Sequence, residues 1–98
     1  MHRLIVNSEA LLKRLQAVLF DFTDLEMVVS CQGKRLIFDE QFDDEYCLDV
    51  EAKTEFATLI ETVSLKRLVN FLKTISEQPL VISFKNSSQW IQIDNVLI

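Results

Sequence analysis

Apolar residues recur along this chain with two periods. Leu4, Ile5 and Val6 make a short apolar run that reads as a first strand over residues 2–6. Asn7 or Ser8 then offers a short side-chain oxygen to the orphan amides of a first helical turn. The helix runs to about Phe20. On a wheel of about 100° per residue, Leu11, Leu12, Leu15, Val18, Leu19 and Phe22 fall within roughly 120° of arc. Glu9, Lys13, Arg14 and Gln16 occupy the other side, together with the small Ala10 and Ala17. Residues 21–24 break the helix. Residues 25–30 are β-rich, Gln32, Gly33 and Lys34 mark a tight turn, and residues 35–38 return, so a hairpin is expected over residues 25–39.

An acidic segment follows, with Asp39, Glu40, Asp43, Asp44, Glu45, Asp49 and Glu51. Within it Tyr46, Leu48 and Val50 alternate with Cys47 and Asp49, the period of a half-buried strand. Lys53 and Thr54 suggest a bend, and residues 56–63 are again β-rich. Ser64 is the expected cap of a second helix. Its apolar stripe is Leu65, Leu68, Val69, Leu72 and Ile75, with Lys66, Arg67, Asn70, Lys73, Thr74 and Glu77 opposite and Phe71 on the boundary. Gln78 before Pro79 ends this helix. Residues 80–84 read as a strand, 85–88 as a turn and 89–98 as one closing strand in which Ile91 and Ile93 alternate with Trp90, Gln92 and Asp94. By that alternation Trp90 covers the outer sheet face as a structural anchor.

The order is β-α-β-β-β followed by β-α-β-β. Leu12-Lys13-Arg14-Leu15 recurs as Leu65-Lys66-Arg67-Leu68 near the start of each helix, which with the matching order of elements suggests an internal duplication. At this point the chain resembles one domain of the DNA sliding clamps. The segment F-A-T-L-I-E-T-V-S-L-K-R-L-V-N-F-L-K-T-I resembles the clamp strand that leads into the second helix. L-V-I-S-F-K-N-S-S-Q-W-I-Q-I resembles the hairpin after it, and I-V-N-S-E-A-L-L-K-R-L the first strand and helix. The resemblance implies an α+β domain built of two βαβββ repeats, with two helices side by side on antiparallel sheet. One domain is expected over residues 1–98, the first repeat at about 1–53 and the second at about 54–98, with its last strand missing. Clamp subunits hold two or three such domains in tandem. On this resemblance a six-domain ring would need six chains, and the peptide pocket between neighbouring clamp domains would need self-association.

Composition narrows the function. The chain has 98 residues, 49% hydrophobic, with one Gly and one Pro. One domain of this size buries roughly 65% of its unfolded surface and needs no disulfide or metal. Cys31 and Cys47 have neither C-x-x-C spacing nor clustered His, and two reduced structural thiols are expected. No signal-like segment and no apolar run near the ~18 residues of a membrane span is seen, so a cytoplasmic location is expected. Asn86-Ser87-Ser88 matches a sequon but reads as a turn. His2 is the only His and a poor general base near a terminus. There is no triad context, no Gly-rich phosphate loop and no metal spacing. No enzyme activity and no cofactor are expected.

The net charge is −5, but the charge is segregated. Lys13, Arg14, Lys66, Arg67 and Lys73 lie on the two helices, faced there only by Glu9 and Glu77. The resemblance makes these five the DNA-facing candidates, meeting phosphates without reading bases. The second candidate surface is the acidic run Asp39, Glu40, Asp43, Asp44 and Glu45, which lacks the Gly of a calcium loop and would suit a small acidic protein-binding factor of inhibitor or immunity type. The third is the apolar end Val96, Leu97 and Ile98. A final edge strand there would pair with another copy.

Overall fold

A computed structural model describes residues 2–84, 91–94 and 96–97, the last two by backbone path. The order is β1 (His2–Asn7), α1 (Ser8–Asp21), β2 (Glu26–Gln32), β3 (Arg35–Phe38), a 3₁₀ turn (Asp44–Tyr46), β4 (Cys47–Asp49), β5 (Glu51–Ala52), β6 (Phe56–Glu61), α2 (Thr62–Leu72), β7 (Pro79–Phe84), β8 (Ile91–Ile93) and β9 (Val96–Leu97). The fold is α+β, with two helices and two antiparallel sheets. One sheet runs β5-β1-β7-β8-β9, the other β4-β3-β2-β6.

Strand alternation and the helical stripes converge on one core. Leu4, Val6, Leu80, Ile82 and Phe84 line the inner face of the five-stranded sheet. Met27, Val29, Leu36, Phe38 and Ile60 line that of the other. Leu11, Leu15 and Val18 of α1 and Leu65, Leu68 and Leu72 of α2 join the same core. The helices are neighbours, and the start of each bonds to the chain just beyond the end of the other, so they run antiparallel. Ser8 N donates to Gln78 O at 2.9 Å where α1 begins, and Thr62 N donates to Leu25 O at 2.9 Å where α2 begins. The chain's one Gly, Gly33, closes the two-residue β2–β3 turn at a φ of 62°, with its amide donating to Glu55 Oε2 at 2.8 Å.

Several expectations are corrected. The first helix is capped by Asn7, whose Oδ1 accepts from Ala10 N at 3.0 Å. The second begins two residues before Ser64. Thr62 anchors it by donating both N–H and Oγ1–H to the Leu25 carbonyl, so Val63 leaves the β-rich run and Ser64 is buried inside the first turn instead of capping it. Tyr46 belongs to a 3₁₀ turn and not to the following strand. Glu51 and Ala52 cross to the other sheet and pair with β1. The single closing strand is two strands, β8 and β9, separated by a turn in which Asp94 has a φ of 51°. Three strands thus follow α2, where one was expected to be missing. Trp90, the turn at 85–88 and Ile98 lie outside the described residues.

The Leu-Lys-Arg-Leu match is also out of register. Ser8, Leu11, Leu15 and Val18 are buried at the spacing of Thr62, Leu65, Val69 and Leu72. That pattern aligns Leu12 with Lys66, one place away from the tetrapeptide match. A four-residue identity can slide along a helix, whereas burial is fixed by the core.

Ser8 ties the start of α1 to the approach of β7. Its Oγ donates to Ser76 O at 3.2 Å and accepts from Gln78 N at 3.0 Å. Ser8→Ala removes both bonds from a buried site and is expected to cost about 1–2 kcal/mol, read by urea denaturation.

Candidate functional surfaces

The helix pair presents most of the expected cations to solvent. On α1 the exposed row is Glu9, Lys13, Gln16 and Phe20, which follow one another at helical spacing. On α2 Val63, Lys66, Arg67 and Asn70 are exposed, and Lys73 is exposed just past its end. Arg14 differs. Its Nε donates to Cys47 O at 2.8 Å, so the guanidinium is half-buried and ties α1 to β4. Lys13 and Arg14 share an open cleft of about 270 Å³ with Asn7, Glu9, Ala10 and Glu77. Two carboxylates therefore offset the two cations there. Lys66, Arg67 and Lys73 have no carboxylate within ion-pair distance among the described residues, where Arg35 with Asp44 is the one ion pair.

The acidic run lies at the other end of α1. Tyr46 donates its hydroxyl to Asp21 Oδ2 at 2.5 Å, and its ring meets Phe22 edge-on at 5.2 Å between centroids. Asp39 N donates to Val28 O at 2.7 Å and Gln41 N to Phe38 O at 3.0 Å, folding the loop tightly at the end of β3. Asp39 and Glu40 both take left-handed backbone, with φ of 54° and 58°, a conformation that costs a non-Gly residue of order 1–3 kcal/mol. Burial pushes the Asp39 carboxyl up, and the charges of Asp24 and Glu40 push it further. Asp44 is held by Arg35, while Glu40, Asp43 and Glu45 are exposed. Phe42, inside this run, is 61% exposed. Val96 and Leu97 form β9, the outer strand of the five-stranded sheet, with Gln92 opposite Leu97 and Ile93 opposite Val96.

Both thiols are buried and free. Burial raises the pKa of each above the usual value, with the nearby Glu55 charge adding to the rise at Cys31. His2 stacks on Phe56 with centroids 4.4 Å apart. Among the described residues no three His, Cys, Asp or Glu side chains are placed to share a metal ion. No helix among them is long and apolar enough to cross a membrane. No protein-family model, curated protein or solved structure matches this chain.

Tyr46 is the chain's only tyrosine and allows a direct test of the loop-to-helix tie. Its bond to Asp21, then its partial burial and nearby acids, push its pKa from 10.0 up to about 12. A folded pKa above the unfolded one means that this contribution to stability is complete below pH ~10 and is lost as pH rises through the folded value. Absorbance titration should show the phenol ionising near 12, and Asp21→Asn should bring it back toward 10.

Proposed function

We propose that this chain is a non-enzymatic binding module resembling one domain of a DNA sliding clamp. In this reading it contacts the DNA backbone through its helix pair and self-associates through an edge strand. The carrying observation is the disposition of exposed cations. Lys66 and Arg67 on α2 and Lys73 just past its end stand exposed and without an ion pair among the described residues. Unpaired, exposed cations on one face release counterions from a phosphate backbone without needing base contacts.

The topology supports the clamp-like part of the reading. The order strand, helix, three strands occurs twice, as β1-α1-β2-β3-β4 and β6-α2-β7-β8-β9. Each sheet joins the leading strand of one unit to the three-stranded meander of the other. The helices share one burial pattern. A duplicated βαβββ unit accounts for all three observations. The β9 edge is where a second chain would add its strand.

The test uses a 30-base-pair duplex of arbitrary sequence, titrated at several salt concentrations. Lys66→Ala, Arg67→Ala and Lys73→Ala should each flatten the log K against log salt slope by about 1, whatever the sequence. Arg14→Ala should instead lower the melting temperature and leave the slope nearly unchanged, because its guanidinium is spent on the Cys47 carbonyl. Failure of the unaltered protein to bind at low salt would overturn the DNA reading.

A further inference from the structure

Among the described residues six large apolar side chains are prominently exposed, and five of them belong to segments that meet at one end of the four-stranded sheet: Phe20, Leu25, Phe42, Leu59 and Val63. They come from three segments, residues 20–28, 38–46 and 59–63. Named contacts hold these segments together. The Leu25 carbonyl accepts from Thr62, Glu26 pairs across the sheet with Glu61 and Val28 with Leu59. Asp39 N donates to the Val28 carbonyl, and Tyr46 reaches Asp21 and Phe22. The sixth, Ile5, lies elsewhere, on β1.

Phe20 and Leu25 are each 86% exposed, far beyond what edge packing needs. Phe20 sits on the solvent row of α1, outside the arc that packs on the core. Phe42 projects from the strained turn that begins at Asp39. Isolated exposed apolar residues are ordinary, but a gathering of five at one end marks a contact surface.

The charge within these segments has one sign, although Lys66 and Arg67 follow Val63 one turn along α2. The three segments carry nine of the chain's 15 Asp and Glu and none of its 10 Lys and Arg. Glu26 and Glu61 stand directly opposite each other across β2 and β6, an unfavourable like-charge pairing that no ion pair among the described residues relieves. Asp39 lies close enough to Asp24 and Glu40 for both charges to raise its pKa. Such a rim repels nucleic acid and anionic lipid and attracts cations.

We propose that this end of the molecule docks a basic, amphipathic segment of a partner protein, with Lys or Arg set among large apolar side chains. Apolar anchors would cover Phe20, Leu25, Phe42, Leu59 and Val63, and flanking cations would answer the acidic rim. The molecule is 27 Å across, so about eight extended residues or about eighteen helical ones would span this end. A second copy fits less well. Among the described residues it has exposed cations to offer, but away from this end the one large apolar side chain exposed beside them is Ile5, with Arg3 and Lys53. The site borders Lys66 and Arg67 of the DNA reading at Val63 but does not depend on that reading.

The experiment titrates the full ¹⁵N-labelled chain with an 18-residue helical peptide of Leu and Lys. Two controls accompany it: a Leu–Glu peptide of the same pattern and a Lys–Ser peptide of the same charge. The Leu–Lys peptide should bind saturably, shift amides confined to residues 20–28, 38–46 and 59–63, and weaken with added salt. Leu25→Ser and Phe42→Ser should each weaken binding about tenfold or more while leaving the melting temperature unchanged, since both side chains are largely exposed. Equal binding of the Lys–Ser peptide would reduce the effect to bare charge and overturn the proposal. So would shifts elsewhere on the unaltered protein, or a concentration-dependent mass abolished by Leu25→Ser, which would make this end a self-interface.

Discussion

Neither half of this chain completes its own sheet, and everything else depends on that exchange. β1 pairs along its full length with β7, from His2 opposite Phe84 to Asn7 opposite Pro79. β6 pairs likewise with β2. Each leading strand closes a sheet made by residues far away in sequence, then passes directly into a helix. The helix start is fixed by the same exchange: Ser8 of α1 bonds to Ser76 and Gln78, and Thr62 of α2 bonds to Leu25. The two helix positions are therefore consequences of strand pairing. The surfaces they present, basic along the pair and acidic and apolar at one end, are set by the same bonds.

That dependence explains which parts of the fold could be read from residue order. The α1 stripe, the Gly33 hairpin and the α+β class follow from local periodicity, and the structure has them, whereas α2 ends at Leu72 and not at Gln78, which leaves Ile75 of its expected stripe beyond the helix. The start of α2 does not follow from periodicity either. Residues 56–63 are rich in β-formers, and only the Leu25 carbonyl, distant in sequence, turns Thr62 and Val63 into helix. Glu51 and Ala52 continue an alternating run yet leave it for β1, because that edge was open. The split of the closing strand rests on Asp94, whose amide donates to the Val81 carbonyl at 2.8 Å, again a distant bond.

The surfaces were legible to different degrees. Cation positions on a helix follow from its wheel, so Lys13, Lys66 and Arg67 were found and are exposed, as is Lys73, which lies just past the end of α2. Arg14 looked equivalent to them, because no local rule reports the Cys47 carbonyl waiting beside it. The acidic run was found as charge, but Phe42 within it passed without notice. Phe20 carried a signal, since it falls off the apolar arc of α1. Leu25, Leu59 and Val63 carried none, because they come together only when β2, β6 and α2 meet.

Charge segregation on so small a domain has an energetic consequence. Nine carboxylates in three neighbouring segments, with Glu26 facing Glu61 and Asp39 crowded by Asp24 and Glu40, repel one another at neutral pH. Arg35 relieves Asp44 alone. Two left-handed residues, Asp39 and Glu40, add strain in the same place, and largely exposed Phe20, Leu25 and Phe42 forgo burial there. None of these features stabilises the isolated fold, whose core is complete without them. Among the described residues Asp94 with its left-handed backbone and exposed Ile5 are lesser conflicts elsewhere, and most of the disagreement lies at this one end. A cationic, apolar partner would relieve the repulsion and cover the apolar surface in one step, which is why the surface chemistry points outward to another protein and away from the domain's own stability.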